Sequence, residues 1–288
     1  MKLMMFEKAK GAALGLVEGK SVIDLGAADP SLPTDLKALI VAGPRALTAA
    51  KSAAANAPAS AKLALDAVKP ALPIDPPGKI VCVGLNYALH AKEGGHPMPT
   101  YPSFFLRVPT SLVAAGAPVI RPKVSNQLDY ECELTIVIGK GGRHIPEDKA
   151  LEHVFGYTLF NDVSVREFQR KTSQWTPGKN FDGTGPLGPW VVTADELPPG
   201  ASGLRIMTRV NGETMQDSNT SDMIFSTAKT IEYLSEFMTL EPGDMIATGT
   251  PSGVAHARKP PTWMKAGDTV EVEVEKIGVL KNPIVDEA

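Results

Sequence analysis

Glu131 and Glu133 are the residues whose type and spacing first suggest chemistry. They stand in Leu128-Asp-Tyr-Glu-Cys-Glu-Leu-Thr-Ile-Val-Ile-Gly139. The segment is dense in β-branched residues and reads as a strand, with Leu134, Ile136 and Ile138 on one pleat face. Side chains two apart on a strand project the same way. The two glutamates therefore stand side by side, and Cys132 between them points to the opposite face. Adjacent carboxylates repel, and neither is cheap to bury unpaired. A cation between them resolves the conflict, and oxygen-only ligands suit a hard ion such as Mg²⁺, Mn²⁺ or Ca²⁺. The competing reading is a half-exposed edge strand with two solvated glutamates.

Other side chains could act beside such an ion. His90 and Glu93 lie at i and i+3 in Val83-Gly-Leu-Asn-Tyr-Ala-Leu-His-Ala-Lys-Glu93, which makes them neighbours on a helix. A glutamate bonded to an imidazole raises its basicity and fixes its tautomer, and the pair can deprotonate a water. The alternative is a surface histidine beside a surface glutamate. Lys179 sits among Trp175, Pro177, Phe181 and Gly183, an unusual setting for a solvated lysine, and Asp182 is placed to pair with it. Thr250 and Ser252 lie on the glycine-bounded turn Gly249-Thr-Pro-Ser-Gly253. Such turns present N–H groups and hydroxyls to anions. Arg107 could grip a carboxylate, and Tyr87, Gln127 and Arg166 are further pocket candidates. There is no Ser-His-Asp order, P-loop, dinucleotide fingerprint or zinc-type Cys/His spacing.

Five segments in order, Val83–Glu93, Leu128–Gly139, Phe155–Arg166, Gln174–Trp190 and Thr248–Val254, resemble the fumarylacetoacetate hydrolase family, in its acylpyruvase-like branch. The resemblance runs roughly from Pro77 to the C-terminus. It implies Mg²⁺ or Mn²⁺, with Ca²⁺ as a substitute, held by Glu131, Glu133 and Asp162. Three carboxylates around one divalent ion leave about three octahedral positions open for water or substrate. It further implies that Lys179 faces the metal pocket and offsets a substrate carboxylate or an enolate. His90 and Glu93 would then ride on a lid and activate a water, and Thr250 would hold the substrate's carboxylate end. Arg107 departs from the family, where many relatives carry lysine nearby. The implied activity is hydrolysis of a C–C bond in a small β-diketo acid, an acylpyruvate or a fumarylpyruvate-like compound of the kind met in aromatic catabolism. The rivals on the same metal site are an oxaloacetate-type decarboxylase, a 2-oxo acid hydratase or isomerase, and a metal-binding scaffold without activity. A homodimer is expected, both from the family and because C₂ dimers are the commonest oligomers.

These residues need a scaffold. Strands outnumber helices and do not alternate with them, so the fold is a β-rich α+β fold, which the resemblance refines to a mixed β-roll or sandwich. Four prolines between Pro70 and Pro77 mark a boundary. A small α/β N-terminal domain spans residues 1–72 and a catalytic, metal-binding domain residues 73–288. Residues 1–29 read as short strands, and residues 35–68 as helix broken by Pro44. Asn86 is positioned to cap a helix ending near Glu93, after which Gly94, Gly95, Pro97 and Pro99 suit a mobile lid loop. Asn211-Gly212 signals a hairpin, and Ser221 or Asp222 the start of a helix through Met238. A net charge of −3 suggests neither nucleic acid nor an anionic membrane as partner. The two cysteines, Cys82 and Cys132, lie in apolar runs and read as buried thiols. No apolar run approaches the roughly 20 residues of a membrane span, and the expected location is the cytoplasm.

Overall fold

The first strand has a core on each side. Leu3 and Met5 face one way, Met4 and Phe6 the other, and all four are buried. The computed structural model describes all 288 residues. The N-terminal segment holds β1 (Lys2–Lys8), β2 (Gly11–Glu18), β3 (Ser21–Asp24), α1 (Leu25–Ala28), α2 (Leu36–Ala42), α3 (Pro44–Ala55) and β4 (Lys62–Ala64). Then follow β5 (Ile80–Gly84), α4 (Ala88–Glu93), β6 (Ser103–Leu106), β7 (Leu112–Ala114), β8 (Val119–Arg121), β9 (Leu128–Asp129) and β10 (Cys132–Ile138). The middle of the chain forms α5 (Glu147–Ala150), β11 (Val154–Asn161), β12 (Ser164–Val165), α6 (Arg166–Gln169), α7 (Thr176–Lys179) and β13 (Gly185–Thr193). Last come β14 (Arg205–Val210), β15 (Glu213–Asn219), α8 (Thr227–Phe237), β16 (Met245–Ala247), β17 (Thr269–Val274) and β18 (Gly278–Asp286).

Eleven strands make one sheet in the order β4-β3-β2-β1-β13-β11-β10-β16-β5-β6, with β7 added in parallel to β13. Five more make a second sheet, β15-β14-β17-β18-β8. Strand β10 lies deep in the first sheet, and all seven of its residues are buried. Its Leu134, Ile136 and Ile138 join Ile206, Val272, Val274 and Leu280 of the second sheet in one core. Its Val137 faces away and packs in a second core with Leu3, Leu16, Leu36 and Ile40. The same face carries Glu133. Residues 1–72 thus bring their own helices yet share a sheet and a core with the rest of the chain.

The turn and breaker signals act as local chemistry predicts. Asn211 (φ 52°) and Gly212 (φ 84°) turn the β14–β15 hairpin. Pro44 stands at the first position of α3, where its missing N–H costs nothing. Three local expectations need correction. The strand expected across 128–139 is two strands. Glu131 N–H donates to Asn161 Oδ1 (3.0 Å) and Glu131 O accepts from Asp162 N–H (2.9 Å). The backbone therefore leaves the ladder there, and β9 pairs with β12. Helix α8 starts later than expected, capped by Ser226, whose Oγ accepts from Lys229 N–H. Asn219 Oδ1 has already taken the Ser221 N–H (2.9 Å), so Ser221 and Asp222 form only a single turn. Asn86 caps nothing. Fully buried, it donates to Phe225 O (3.0 Å) and Thr248 O (2.7 Å) and accepts from Phe225 N–H (2.7 Å). It ties the exits of β5 and β16 to the segment before α8.

Close packing at the sheet centre gives a stability test. A Cβ at Gly156, on β11, would meet the backbone oxygen of Val192 on β13 at 2.2 Å. Gly156→Ala should lower the urea midpoint by the equivalent of about 1–3 kcal/mol, the usual cost of overpacking. An unchanged midpoint would show that this strand pair can spread.

Candidate functional site

The junction of β9, β10 and the end of β11 collects four buried carboxylates. They are Asp129, Glu131, Glu133 and Asp162, and among them three cations, Arg107, Arg166 and Lys179, are also buried. Glu131, Glu133 and Asp162 offer oxygens that all lie within 4.8 Å of one another. Arg166, on α6, bonds Asp129 through Nε (2.8 Å). Its Nη2 sits 2.6 Å from Glu131 Oε1, in an ion pair too poorly angled for a hydrogen bond. Lys179, at the end of α7, bridges Glu131 Oε2 and Asp162 Oδ2, at 2.7 Å each. Arg107 donates to the other oxygen of Asp162 (2.8 Å). Glu133 alone has no cation. Its single protein partner is the Gly249 N–H (2.9 Å). A side chain at Gly249 (φ 92°) would strike Asn86 and Val83, so glycine is what lets that amide approach.

The electrostatics follow this pairing. Burial alone would raise the Glu131 carboxyl, but the charges of Lys179, Arg166 and His90 override it and hold it at about 2. Burial, then Asp162 and Glu131, push Glu133 well above the usual carboxylate range. Burial would strip Lys179 of its proton, but Asp162 and Glu131 hold it on. One carboxylate is therefore left over beside two others. A donor set of three hard, anionic oxygens with one uncompensated charge fits a metal ion.

Above this floor opens a cleft of about 400 Å³. His90, Gly94 and His96 form one wall, Phe105 and Trp175 another, and Arg166, Gln169, Arg170 and His256 a third. The edge of the Trp175 ring abuts Gly84, where a Cβ would meet it at 2.0 Å. His90 Nδ1 is 2.8 Å from Glu93 Oε1, and the other Glu93 oxygen accepts from Gly253 N–H (2.9 Å). This leaves His90 Nε2 as the free ring nitrogen. Thr250 borders the cleft, its hydroxyl accepting from Gln216 Nε2 (2.9 Å).

Several expected site residues stand elsewhere. Arg107 cannot reach substrate. Its side chain is fully buried, with Ser111, Val163 O and Thr184 taking the donors Asp162 leaves and the ring of Phe160 at 5.2 Å. It supports Asp162 from behind. Tyr87 is buried outside the cleft, its backbone bridged to Met223. Gln127 is also outside it, its backbone oxygen accepting from Arg166 N–H (3.0 Å) and its backbone N–H donating to Ser125 Oγ (3.0 Å). Asp182 is exposed and does not touch Lys179, whose partners are Glu131 and Asp162. Cys82 and Cys132 are buried, and burial pushes both thiols up, away from the reactive thiolate. Asp129, Gln169, Arg170 and His256 went unread in the sequence. Asp129 extends the alternation of Glu131 and Glu133 by one step, a signal that was available. For the other three nothing local singles them out.

A profile described as fumarylacetoacetate (FAA) hydrolase C-terminal matches residues 79–285. The chain belongs to the fumarylacetoacetate hydrolase family. A mitochondrial oxaloacetate tautomerase of Xenopus laevis is 41% identical over 99% of this chain and 90% of that protein. The fumarylacetoacetate hydrolase of psychrophilic Exiguobacterium antarcticum superposes with a TM-score of 0.86 at 38% identity, covering all of both chains. A maleylpyruvate hydrolase of Sphingobium sp. SYK-6, in complex with manganese(II) and pyruvate, gives 0.83 at 27% identity, again over all of both chains. The relatives are thus enzymes of one superfamily that act on small molecules through different reactions. No helix of this chain is long and apolar enough to cross a membrane.

The supporting role of Arg107 can be tested directly. Arg107→Met strips Asp162 of a buried partner and should destabilise the protein by about 3–5 kcal/mol. An unfolding midpoint equal to wild type would show that Lys179 alone suffices for Asp162.

Proposed function

We propose that the protein is a divalent-metal-dependent enzyme that moves a proton at the carbon beside the carbonyl of a small 2-oxo acid, interconverting its keto and enol forms. The observation that carries this reading is an imidazole fixed by Glu93 in a cleft floored by the three carboxylates. Likeness to the Xenopus tautomerase over nearly the whole chain supports oxaloacetate as the substrate. Mg²⁺ or Mn²⁺ held by Glu131, Glu133 and Asp162 would supply Lewis acidity, polarising the carbonyl and favouring the enolate. The chain's own residues do the rest. Nδ1 of His90 is engaged by Glu93, so Nε2 takes the proton from carbon and delivers it to the enolate oxygen, the reverse transfer restoring the keto form, and Glu93 stabilises the imidazolium in between. Lys179 offers a fixed positive charge to the developing enolate. Thr250 and its turn hold the carboxylate beside the carbonyl. The wall of His90, Gly94 and His96 limits water.

A second reading, C–C bond hydrolysis of an acylpyruvate, is favoured by the same His90–Glu93 pair, which can activate a water as readily as a carbon acid. Decarboxylation of oxaloacetate needs the floor but no base. Product analysis with oxaloacetate and a panel of acylpyruvates, with Mg²⁺ and Mn²⁺, separates the three. Tautomerisation should dominate, and release of pyruvate with a carboxylic acid would select hydrolysis instead. Chelation should abolish turnover and either ion should restore it, while Glu131→Gln should weaken Mn²⁺ binding in calorimetry with the fold intact. His90→Ala should lower tautomerisation by roughly 10²–10⁴-fold, the usual contribution of a general base, and spare metal-assisted loss of CO₂. An unaltered rate would remove His90 from the mechanism.

We also propose a homodimer. Tyr101, Phe104, Tyr233 and Phe237 touch one another beside the edge strand β6, and Tyr101, Leu106 and Phe237 are about half exposed. Sedimentation at micromolar concentration should give a dimer, and Leu106→Lys should shift it toward monomer. A wild-type monomer would end this part of the reading.

A further inference from the structure

One cation at the cleft lacks an anion. Arg166 is paired with Asp129 and Glu131, and Lys179 with Glu131 and Asp162. Arg170, the residue that closes α6 with its backbone N–H, lines the same cleft, and its guanidinium makes no ion pair or hydrogen bond with the protein. It stands exposed at the mouth, while Glu131, Glu133 and Lys179 lie buried at the floor. His256 borders the same wall. Its backbone N–H is fixed by Asp129 Oδ2 (3.0 Å), and its buried ring Nδ1 lies 3.9 Å from the same oxygen, too far for a hydrogen bond. Burial first, then the charges of Arg166 and Arg170, hold its pKa near 4. The ring is therefore a neutral hydrogen-bonding group beside two guanidinium charges.

Arg170 is thus the guanidinium at the cleft with no carboxylate of its own, while Arg166 and Lys179 are paired at the floor. A 2-oxo monoacid bound at the floor leaves Arg170 without a partner. A 2-oxo diacid brings it a second carboxylate.

We propose that Arg170 and His256 bind the second carboxylate of a 2-oxo dicarboxylic acid and thereby make the cleft selective for diacids over monoacids. The proposal rests on the reading that the floor takes a 2-oxo acid. A guanidinium reaches a carboxylate with two donors, which an ammonium cannot match, and the imidazole adds a donor without adding charge.

The test compares wild type with Arg170→Leu, Arg170→Lys and His256→Leu on two substrates. Oxaloacetate turnover reads the diacid. Deuterium exchange at C3 of 2-oxobutyrate, followed by NMR, reads enolisation of a monoacid. Arg170→Leu should raise KM for oxaloacetate about 10- to 100-fold, the effect of losing a charged hydrogen bond, with kcat much less changed. Arg170→Lys should fall between it and wild type, and His256→Leu should raise KM by a smaller factor. 2-Oxobutyrate, lacking the second carboxylate, should feel each change far less. Oxalate, whose two carboxylates both fit the floor, provides a readout apart from turnover. With Mn²⁺ it should raise the melting temperature of wild type and Arg170→Leu alike. An unchanged KM for oxaloacetate in Arg170→Leu overturns the proposal. So does an equal loss on both substrates, which would place Arg170 at the chelating end. Failure of wild type to bind oxalate with Mn²⁺ or to turn over either substrate overturns the 2-oxo acid reading itself, and this proposal with it.

Discussion

Unequal numbers of buried charges govern this molecule. Asp129, Glu131, Glu133 and Asp162 confront Arg107, Arg166 and Lys179 at the meeting point of three strands, all buried, and Glu131, Glu133, Arg166 and Lys179 reach the surface only at the cleft. Burying an ion uncompensated costs several kcal/mol, so each pairing must be held by structure around it. The sheets supply that structure. Strand β10 is packed on both faces, and its Glu133 cannot swing out to solvent. Asn161 and Asp162 at the end of β11 hold the backbone of Glu131 away from the ladder. Arg107 stands behind Asp162 and fixes one of its oxygens, which aims the other at Lys179. The residual negative charge falls on Glu133, next to the open cleft, where an incoming cation can reach it.

How much of this was legible in the sequence depended on distance along the chain. The side-by-side glutamates follow from a two-residue period, and the His90–Glu93 contact from helical spacing. The Asn211-Gly212 hairpin and the break at Pro44 follow from the backbone preferences of single residues. Asp162 and Thr250 were readable only through resemblance to a family, because their partners lie 31 and 34 residues away (Glu131 to Asp162 and Gln216 to Thr250). Arg107 was misread. An arginine after Phe104-Phe105-Leu106 gives no local sign of whether it faces a ligand or props a carboxylate from behind. Asn86 was misread for a similar reason, since the groups it bonds come from residues 225 and 248. His256 is positioned by Asp129 across 127 residues, a relation no local pattern carries.

The division of labour between floor and walls explains how one family supports several reactions. The carboxylates stand on strands and strand ends and Lys179 at the end of α7, all of them buried, where packing leaves little freedom. The residues that differ in consequence, His90 on a short helix and Arg170 and His256 on turns, border the cleft without being part of the sheets. Changing them costs the core little. A floor this firmly held can stay fixed while the residues at its walls change, which is how one fold can carry several reactions.

Glu93 is committed at both ends, one oxygen to the His90 ring and the other to the Gly253 amide. Helix α4 cannot swing away from the turn without breaking the second contact and freeing the same carboxylate that fixes the ring. The protein therefore carries an interlock. The His90 ring is fixed only while α4 stays docked against the turn at Gly253, so orientation of the imidazole and closure of this side of the cleft are one event.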